Sequence, residues 1–387
     1  MRVLINAVAA KVGGASNYIR KLADELAAVD EHEFLFLVPE PQAMSIRGIA
    51  LHIRVLGSNI GEQPFFRRAW FDQVELPRIL RRERIDVLFS TANFATFFCP
   101  CRQVLLVRNS LYFSSWYRSK VLPHKSWNTR AGEVLRRWLA CRSAMAADVV
   151  LTPSQAMLDE LRATVPVHTA VINHYGVDRK RFHPAERYFA QDGYASLLFT
   201  SLYSEHKNVG TLYRALLHLE TWGRRCRLTS TADPGWEKIR NPIRDSDRDL
   251  AGKLRQGGLL ELTGVLVGST LDQLYQRADI FVYPSAVESF GHPLLEAMSS
   301  GLPVVAADVP VNRELCGEAA LYFSPFDDRD CARQIAELID HADIRRRLVE
   351  HGLLRVNDFR WSSHAKRVMQ HCGTSPESLA IPMETPV

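Results

Sequence analysis

The chain has 387 residues, 47% hydrophobic and 24% charged, a balance that excludes a disordered or fibrous protein and asks for two ordinary domains. No window approaches ~18 uninterrupted apolar residues, which excludes a transmembrane helix. The net charge of +5 divides unevenly. Residues 1–190 hold 26 Lys and Arg against 17 Asp and Glu (+9), the rest 22 against 26 (−4), so the first half is expected to face an anionic partner.

In chain order, residues 2–10 read as a first buried strand. The apolar run is too short, and too soon broken by Asn6, for a secretory signal. Lys11-Val12-Gly13-Gly14-Ala15-Ser16 is a tight turn, and 17–28 an amphipathic helix with Tyr18, Ile19, Leu22 and Leu26 at helical spacing. Residues 33–38 form strand two. A glycine loop at the first strand's carboxyl edge is where open α/β sheets bind ligands. G-x-G-x-x-G is absent, which argues against a nicotinamide enzyme. Strands follow at 85–90, 103–107 (ending in Arg108-Asn109-Ser110) and 147–152, with Ser154 as N-cap of a helix at 155–161. After an extended segment at 170–174, the polar stretch 179–193 reads as an inter-domain linker.

The second half restarts with a strand at 195–200, a loop carrying His206-Lys207-Asn208 and a helix at 209–219. Strands at 226–230 and 259–264 and a helix at 271–278 lead to the most informative stretch. Its strand, 280–283, stops at Pro284, and the loop Ser285-Ala286-Val287-Glu288-Ser289-Phe290-Gly291 follows. A helix with Pro293 in its first turn comes next, then Gly301 and a strand at 302–306. Helices at 330–338, 343–353 and 363–369 precede a Pro-, Ser- and Thr-rich tail, 373–387, that reads as disordered. Strands alternating with helices twice over predict two doubly wound α/β domains facing a cleft.

The chemistry gathers at that loop. Ser289-Phe290-Gly291 can turn backbone N–H groups outward at the positive end of a helix macrodipole, an arrangement suited to phosphate. Glu288 and Glu296 frame it, and the second is placed to accept hydrogen bonds from ribose hydroxyls. An ordinary helix start with a capping acid and a solvated Glu is the plain alternative. Asp245-Ser246-Asp247 has the form of a metal-nucleotide motif, but its run of alternating charge reads as a solvated face. The seven Cys are scattered, and Cys99 and Cys101 have no second pair. Neither a zinc site nor a disulfide framework is indicated, and a reducing cytoplasm fits. Arg67, Arg68, Arg78, Arg81, Arg82 and Arg84 interleave with Phe65, Phe66, Trp70, Phe71, Ile79 and Leu80; Arg130, Arg136, Arg137 and Arg142 do so with Leu135, Trp138 and Leu139. Two readings stand for these stretches: peripheral attachment to anionic lipid, or core-facing helices with solvated Arg.

Taken together, Pro284-Ser285-x-x-Glu288-Ser289-Phe290-Gly291-x-Pro293-x-Leu295-Glu296-Ala297-Met298 and Gly301-x-Pro303-Val304-Val305 resemble the donor-site signature of family-4 retaining glycosyltransferases of the GT-B fold. Gly13-Gly14, Ser154, Gly176-Val177-Asp178-x-x-x-Phe182-x-Pro184, Lys207-Asn208, Leu262-Thr263-Gly264 and Phe359-x-Trp361 fall in that family's order. The resemblance covers nearly the whole chain. It implies an acceptor-side domain at 1–185, a nucleotide-sugar domain at 194–357, and a terminal helix at 358–372 that returns to the first domain. It further implies transfer from a nucleotide-sugar donor to a glycan or lipid-linked glycan acceptor in cell-surface polysaccharide or glycolipid synthesis. The expected location is the cytoplasm, with the inner face of the cytoplasmic membrane as the alternative if the basic stretches bind lipid. No metal, cofactor or nucleic-acid partner is expected.

Carried over by position, Glu296 would hold ribose and Glu288 the transferred sugar. Ser289, Phe290 and Gly291 would hold the diphosphate, with Lys207 as its cation unless that side chain is simply a solvated loop lysine. Gly264 and Val265 would flank the base. Gly13 and Gly14 would approach phosphate or acceptor, or form a plain turn. His206 and His292 would be wall residues, with a direct role as the alternative. Two departures stand out. Ser201 or Leu202 occupies the place of a frequent Arg, leaving Arg108 as candidate second cation. Asn109 occupies the place of a frequent His and can hydrogen-bond but cannot act as acid or base near neutral pH. A nucleotide-sugar epimerase and a catalytically silent sugar-binding subunit remain as alternatives.

Overall fold

The computed structural model describes residues 1–10, 14–186, 188–235, 241–266 and 268–373. The chain folds as two compact units. The first comprises Met1–Phe113, Gly132–Gly176 and Trp361–Val387. Its elements are β1 (Arg2–Asn6), α1 (Gly14–Leu26), β2 (Glu33–Val38), α2 (Glu40–Ile46), β3 (Ile53–Gly57), α3 (Phe65–Trp70), α4 (Leu76–Arg82), β4 (Val87–Ser90) and β5 (Arg102–Leu106). Then come α5 (Trp127–Ala146), whose first residues belong to the second unit, β6 (Val149–Thr152), α6 (Gln155–Arg162) and β7 (Ala170–Ile172). The sheet order is β3-β2-β1-β4-β5-β6-β7, every pair parallel. β1, β2 and β4 are buried almost throughout, because helices cover both faces of a parallel sheet. Order reverses between β1 and β4, opening a crevice at their carboxyl ends.

The second unit comprises Ser114–Ala131 and Val177–Arg360. It holds β8 (Ala195–Phe199), α7 (Val209–Thr221), β9 (Cys226–Ser230), α8 (Pro242–Gln256), β10 (Leu260–Leu262), α9 (Ser269–Arg277), β11 (Ile280–Tyr283), α10 (His292–Ser299), β12 (Val304–Ala307), α11 (Pro310–Cys316), β13 (Ala320–Phe323), α12 (Asp328–Asp340) and α13 (Ala342–Arg355). Its parallel sheet runs β10-β9-β8-β11-β12-β13 and reverses between β8 and β11.

The terminal helix α14 (Trp361–Gly373) does return to the first unit. His364 is pinned there: Tyr18 Oη lies 3.0 Å from its Nε2, and Nδ1 lies 3.0 Å from the His174 carbonyl oxygen. Of the tail expected to be disordered, 373–387, Gly373 ends α14 and residues 374–387 lie outside the described residues.

Three expectations need correction. The polar stretch read as a linker from residue 179 begins as packed structure of the second unit. Phe182 is buried, its ring 5.2 Å from Tyr275, and its carbonyl accepts from Ser299 Oγ at 2.6 Å. The run read as a solvated face around Asp245-Ser246-Asp247 is helix α8, capped by Asn241 Oδ1 on Arg244 N at 2.9 Å. Arg244, Asp247, Ala251 and Leu254 lie on its buried face, so Asp247 is a core carboxyl rather than a surface one. Finally, α2 and β3 were not anticipated; β3 is an edge strand with an exposed Arg54, too short and mixed to show a period.

Candidate active site

The crevice of the second unit lies where β8 and β11 diverge, and two loops build it. The loop after β8 closes on a 3₁₀ turn, Glu205–Lys207, followed by Asn208 in the left-handed conformation (φ 54°). That conformation sends Asn208 Nδ2 to the Pro284 carbonyl oxygen at 3.1 Å. Ala286 N donates to the His206 carbonyl oxygen at 2.9 Å, so the loops after β8 and β11 are stitched together at two points. Lys207 Nζ then lies 2.5 Å from Glu288 Oε1, and Tyr283 Oη donates to the same oxygen at 2.6 Å. Burial pushes the Glu288 carboxyl up, but the Lys207 cation and its hydrogen bond, together with His206 and Ser285, hold the group below the usual carboxylate range. Glu288 is therefore an ionised acceptor at neutral pH. His206 is driven down to about 3 by desolvation, with the Lys207 charge adding to it, so it stays neutral and serves as a wall.

Glu296 lies on α10, just beyond the loop. Its Oε2 accepts from Tyr275 Oη at 2.7 Å, and Tyr275 lies 2.6 Å from Thr200 Oγ1. Its Oε1 has no hydrogen-bond partner among the described residues and is open. Burial raises the Glu296 pKa, against the Tyr275 hydrogen bond and Arg181, which lower it. A half-buried carboxylate with one tethered and one open oxygen is an oriented acceptor. Gly291 caps α10 in the left-handed region (φ 99°) and supplies no side-chain cap. A Cβ there would stand 3.3 Å from Leu294 Cδ1. Phe290 is buried with its ring 5.1 Å from His292, so its side chain anchors the loop while Ser289 and Gly291 shape it. Gly264 follows β10 with φ 67° and open space where a side chain would stand, and Val265 is exposed.

The first-unit candidates are placed separately. Gly13 lies outside the described residues, and Gly14 is the first residue of α1. After β5, Asn93 Oδ1 accepts from both Arg108 N (2.7 Å) and Asn109 N (3.0 Å). The Arg108 guanidinium stands over the Tyr18 ring at 5.7 Å. Asn109 Oδ1 accepts from Leu111 N at 3.2 Å, capping a short 3₁₀ turn. The structure thus brings Lys207 and Glu288 into contact. It sets Glu296, Ser289, Phe290, Gly291 and His292 on the same loop and helix. It carries Arg108 and Asn109 on the other unit.

Residues 190–355 match the family model described as glycosyl transferases group 1, and residues 12–181 match glycosyltransferase family 4. The chain belongs to the family-4 glycosyltransferases. It is 32% identical over 176 residues to the O-antigen chain mannosyltransferase B of Escherichia coli, spanning 45% of this chain and 44% of the relative. It is 26% identical over 351 residues to a sulfoquinovosyl transferase of Arabidopsis thaliana, spanning 85% of this chain and 62% of that protein. The chain therefore aligns with less than two thirds of the length of either relative. In fold it is similar to sucrose-phosphate synthase from Thermosynechococcus elongatus (TM-score 0.75, 18% identity, 96% of this chain and 98% of that one). It is likewise similar to Anabaena HepE solved with UDP-glucose (TM-score 0.73, 17% identity, 96% and 99%). These are GT-B structures.

Within this family member, sequence reasoning missed the residues that hold the two Glu. Tyr283 and Tyr275 are fully buried phenols whose hydroxyls end on Glu288 and Glu296. A Tyr closing the otherwise apolar run Ile280-Phe281-Val282, just before the loop, was the available signal. Glu205 was also missed. It is buried and takes Asn241 Nδ2 at 2.6 Å and Lys125 Nζ at 2.7 Å. Burial raises its pKa and the Lys125 hydrogen bond brings it below normal. Because Glu205 and Lys207 share one 3₁₀ turn, that anchorage fixes where the Lys207 side chain starts.

Proposed function

We propose that the chain is a retaining glycosyltransferase that moves a hexose-type sugar from a nucleoside-diphosphate donor to a glycan or lipid-linked glycan. The observation that carries this reading is the cluster Lys207–Glu288–Tyr283 beside a Glu296 with one open oxygen, at the switch point of a parallel sheet. Ribose hydroxyls donate to Glu296 Oε1, and the diphosphate lies toward the N-terminus of α10. An ammonium has three donors, so Lys207 keeps its bond to Glu288 and turns another N–H to the diphosphate, where leaving-group charge develops. Glu288 accepts from a sugar hydroxyl. The acceptor oxygen bonds to the anomeric carbon on the face from which the diphosphate departs, and its proton passes to the departing phosphate oxygen. No protein base is needed for this step. Lys207 supplies the charge for which other transferases use a metal ion, so turnover is proposed to be metal-independent. The mannosyltransferase relative and the UDP-glucose complex of a similar fold support a nucleotide-hexose donor.

We further propose a peripheral membrane contact at the inner face of the cytoplasmic membrane. No helix among the described residues is long and apolar enough to cross a membrane. Phe66, Trp70, Val134, Leu135 and Trp138 are exposed among the arginines of α3 and α5. α3 has no buried residue, which favours lipid contact over an ordinary core-facing helix. A thermal-shift screen over nucleoside diphosphates and their sugars, followed by donor hydrolysis, tests the function. Stabilisation by one nucleotide series with slow donor hydrolysis is expected. Sugar interconversion would make the chain an epimerase, and binding without turnover a silent subunit; either result overturns the proposal.

A further inference from the structure

The first unit contains a cavity of about 60 Å³, at roughly 10–15 Å³ per water-sized group room for about four to six such groups. Phe65, Phe94, Phe97 and Leu139 form its apolar walls, and Asp72 and Arg68 are its charged members. Phe94 and Phe97 lie in the turn after β4, at the carboxyl edge where the sheet order reverses, the position at which open parallel sheets take ligands.

The cavity is built rather than incidental. Asp72 and Gln73 sit in a π-helical turn, Phe71–Glu75, a local widening common at functional sites. That turn is locked to the opposite wall. Gln73 Nε2 donates to the Ala95 carbonyl at 2.8 Å, and Gln73 Oε1 accepts from Phe97 N at 2.8 Å. Thr96 Oγ1 donates to the Asp72 carbonyl at 3.0 Å.

Its polar members are complementary but unfinished. One Asp72 oxygen accepts weakly from Asn6 Nδ2 at 3.4 Å, and the other has no partner among the described residues. Arg68 Nε is buried and has no hydrogen-bond partner among them either. A buried donor left in that state costs about 1–3 kcal/mol. A hydroxyl donates to the open Asp72 oxygen, whereas a phosphate would meet the Asp72 charge.

We propose that this cavity binds the aliphatic chain of a hydroxyl-bearing amphiphile, with the hydroxyl donating to the open Asp72 oxygen. On the reading of the chain as a transferase, that amphiphile is the acceptor, so the acceptor is recognised through its apolar anchor as well as its sugar.

The test is calorimetric titration of the full chain with n-octyl glucoside below its micelle concentration and with methyl glucoside. Octyl glucoside is expected to bind at least tenfold more tightly than methyl glucoside. Leu139→Trp and Ala69→Phe, which fill the cavity, are each expected to abolish that preference, with far-ultraviolet circular dichroism confirming the fold. Asp72→Asn is expected to weaken octyl glucoside severalfold while keeping the chain-length preference. Equal binding of the two glucosides by the wild type, or an unchanged preference in both folded filled variants, overturns the proposal. Acceptor-free donor hydrolysis is followed in parallel. Its absence alongside intact chain-length discrimination would remove the transferase reading and leave this site standing.

Discussion

Replacing each framing Glu in turn separates the two roles by opposite effects on nucleotide affinity. Glu296 has one oxygen tethered to Tyr275 and one open. Glu296→Ala removes a charged acceptor for ribose, and each such hydrogen bond contributes about 1.5–3 kcal/mol. That corresponds to a roughly 10- to 150-fold rise in Kd for a free nucleoside diphosphate. Collateral damage is limited, because Tyr275 keeps its bond to Thr200. Glu288 is different, since a nucleoside diphosphate carries no sugar for it to hold. Its Oε1 is occupied by Lys207 and Tyr283, and Glu288→Ala releases the Lys207 cation toward phosphate. The Kd should stay unchanged or fall, while turnover of the full donor drops steeply. Isothermal calorimetry with free nucleoside diphosphates reads the order directly. A larger affinity loss in Glu288→Ala than in Glu296→Ala would refute the assignment.

Lys207→Met should lower kcat by roughly 10²–10³ and destabilise the fold by about 3 kcal/mol, because Glu288 is left buried and unpaired. Adding Glu288→Gln should restore denaturant stability without restoring turnover; recovery of turnover would show that Lys207 is only a structural counter-ion. His364 is driven down to about 4 by burial, against an unfolded value near 6.5. A depressed imidazole leaves stability intact above the unfolded value and removes it as pH falls through 6.5 toward 4. The loss between pH 7.5 and 5 should be about 2 kcal/mol by linkage, and His364→Gln should flatten that part of the urea-midpoint profile. Liposome flotation at low salt should recover the wild type with anionic vesicles and much less of a Phe66→Ser, Trp70→Ser, Trp138→Ser triple variant. Equal recovery of both proteins would end the lipid-contact reading.

The loop between β11 and α10 was legible because its signals are local. Pro284 stops a strand, Gly291 admits a left-handed turn, and Pro293 starts a helix, so chain order alone placed Glu288 and Glu296 at a strand's carboxyl end. What those Glu touch was not legible. The Tyr283 and Tyr275 hydroxyls reach them only after β11 and α9 pack; the local sequence shows a Tyr closing the apolar run of β11 but not which carboxylate it meets. Composition misled at Asp247. Alternating charges suggested water on all sides, yet Arg244, Asp247, Ala251 and Leu254 recur at helical spacing on one face. The buried Asp247 accepts from Tyr203 Oη at 2.7 Å, and burial lifts its pKa to about 6. Lys125 shows the limit set by topology. Its segment precedes the long helix α5 in the first half of the chain, yet it belongs to the second unit and anchors Glu205.

The central claim concerns the reaction itself, and the anomeric configuration of the product decides it. Incubating the chain with a nucleoside-diphosphate α-hexose and an acceptor, then reading the anomeric proton coupling by nuclear magnetic resonance, should give an α-linked product without added metal ion. A β-linked product, or donor binding with no transfer to any glycan or lipid-linked glycan, would contradict it.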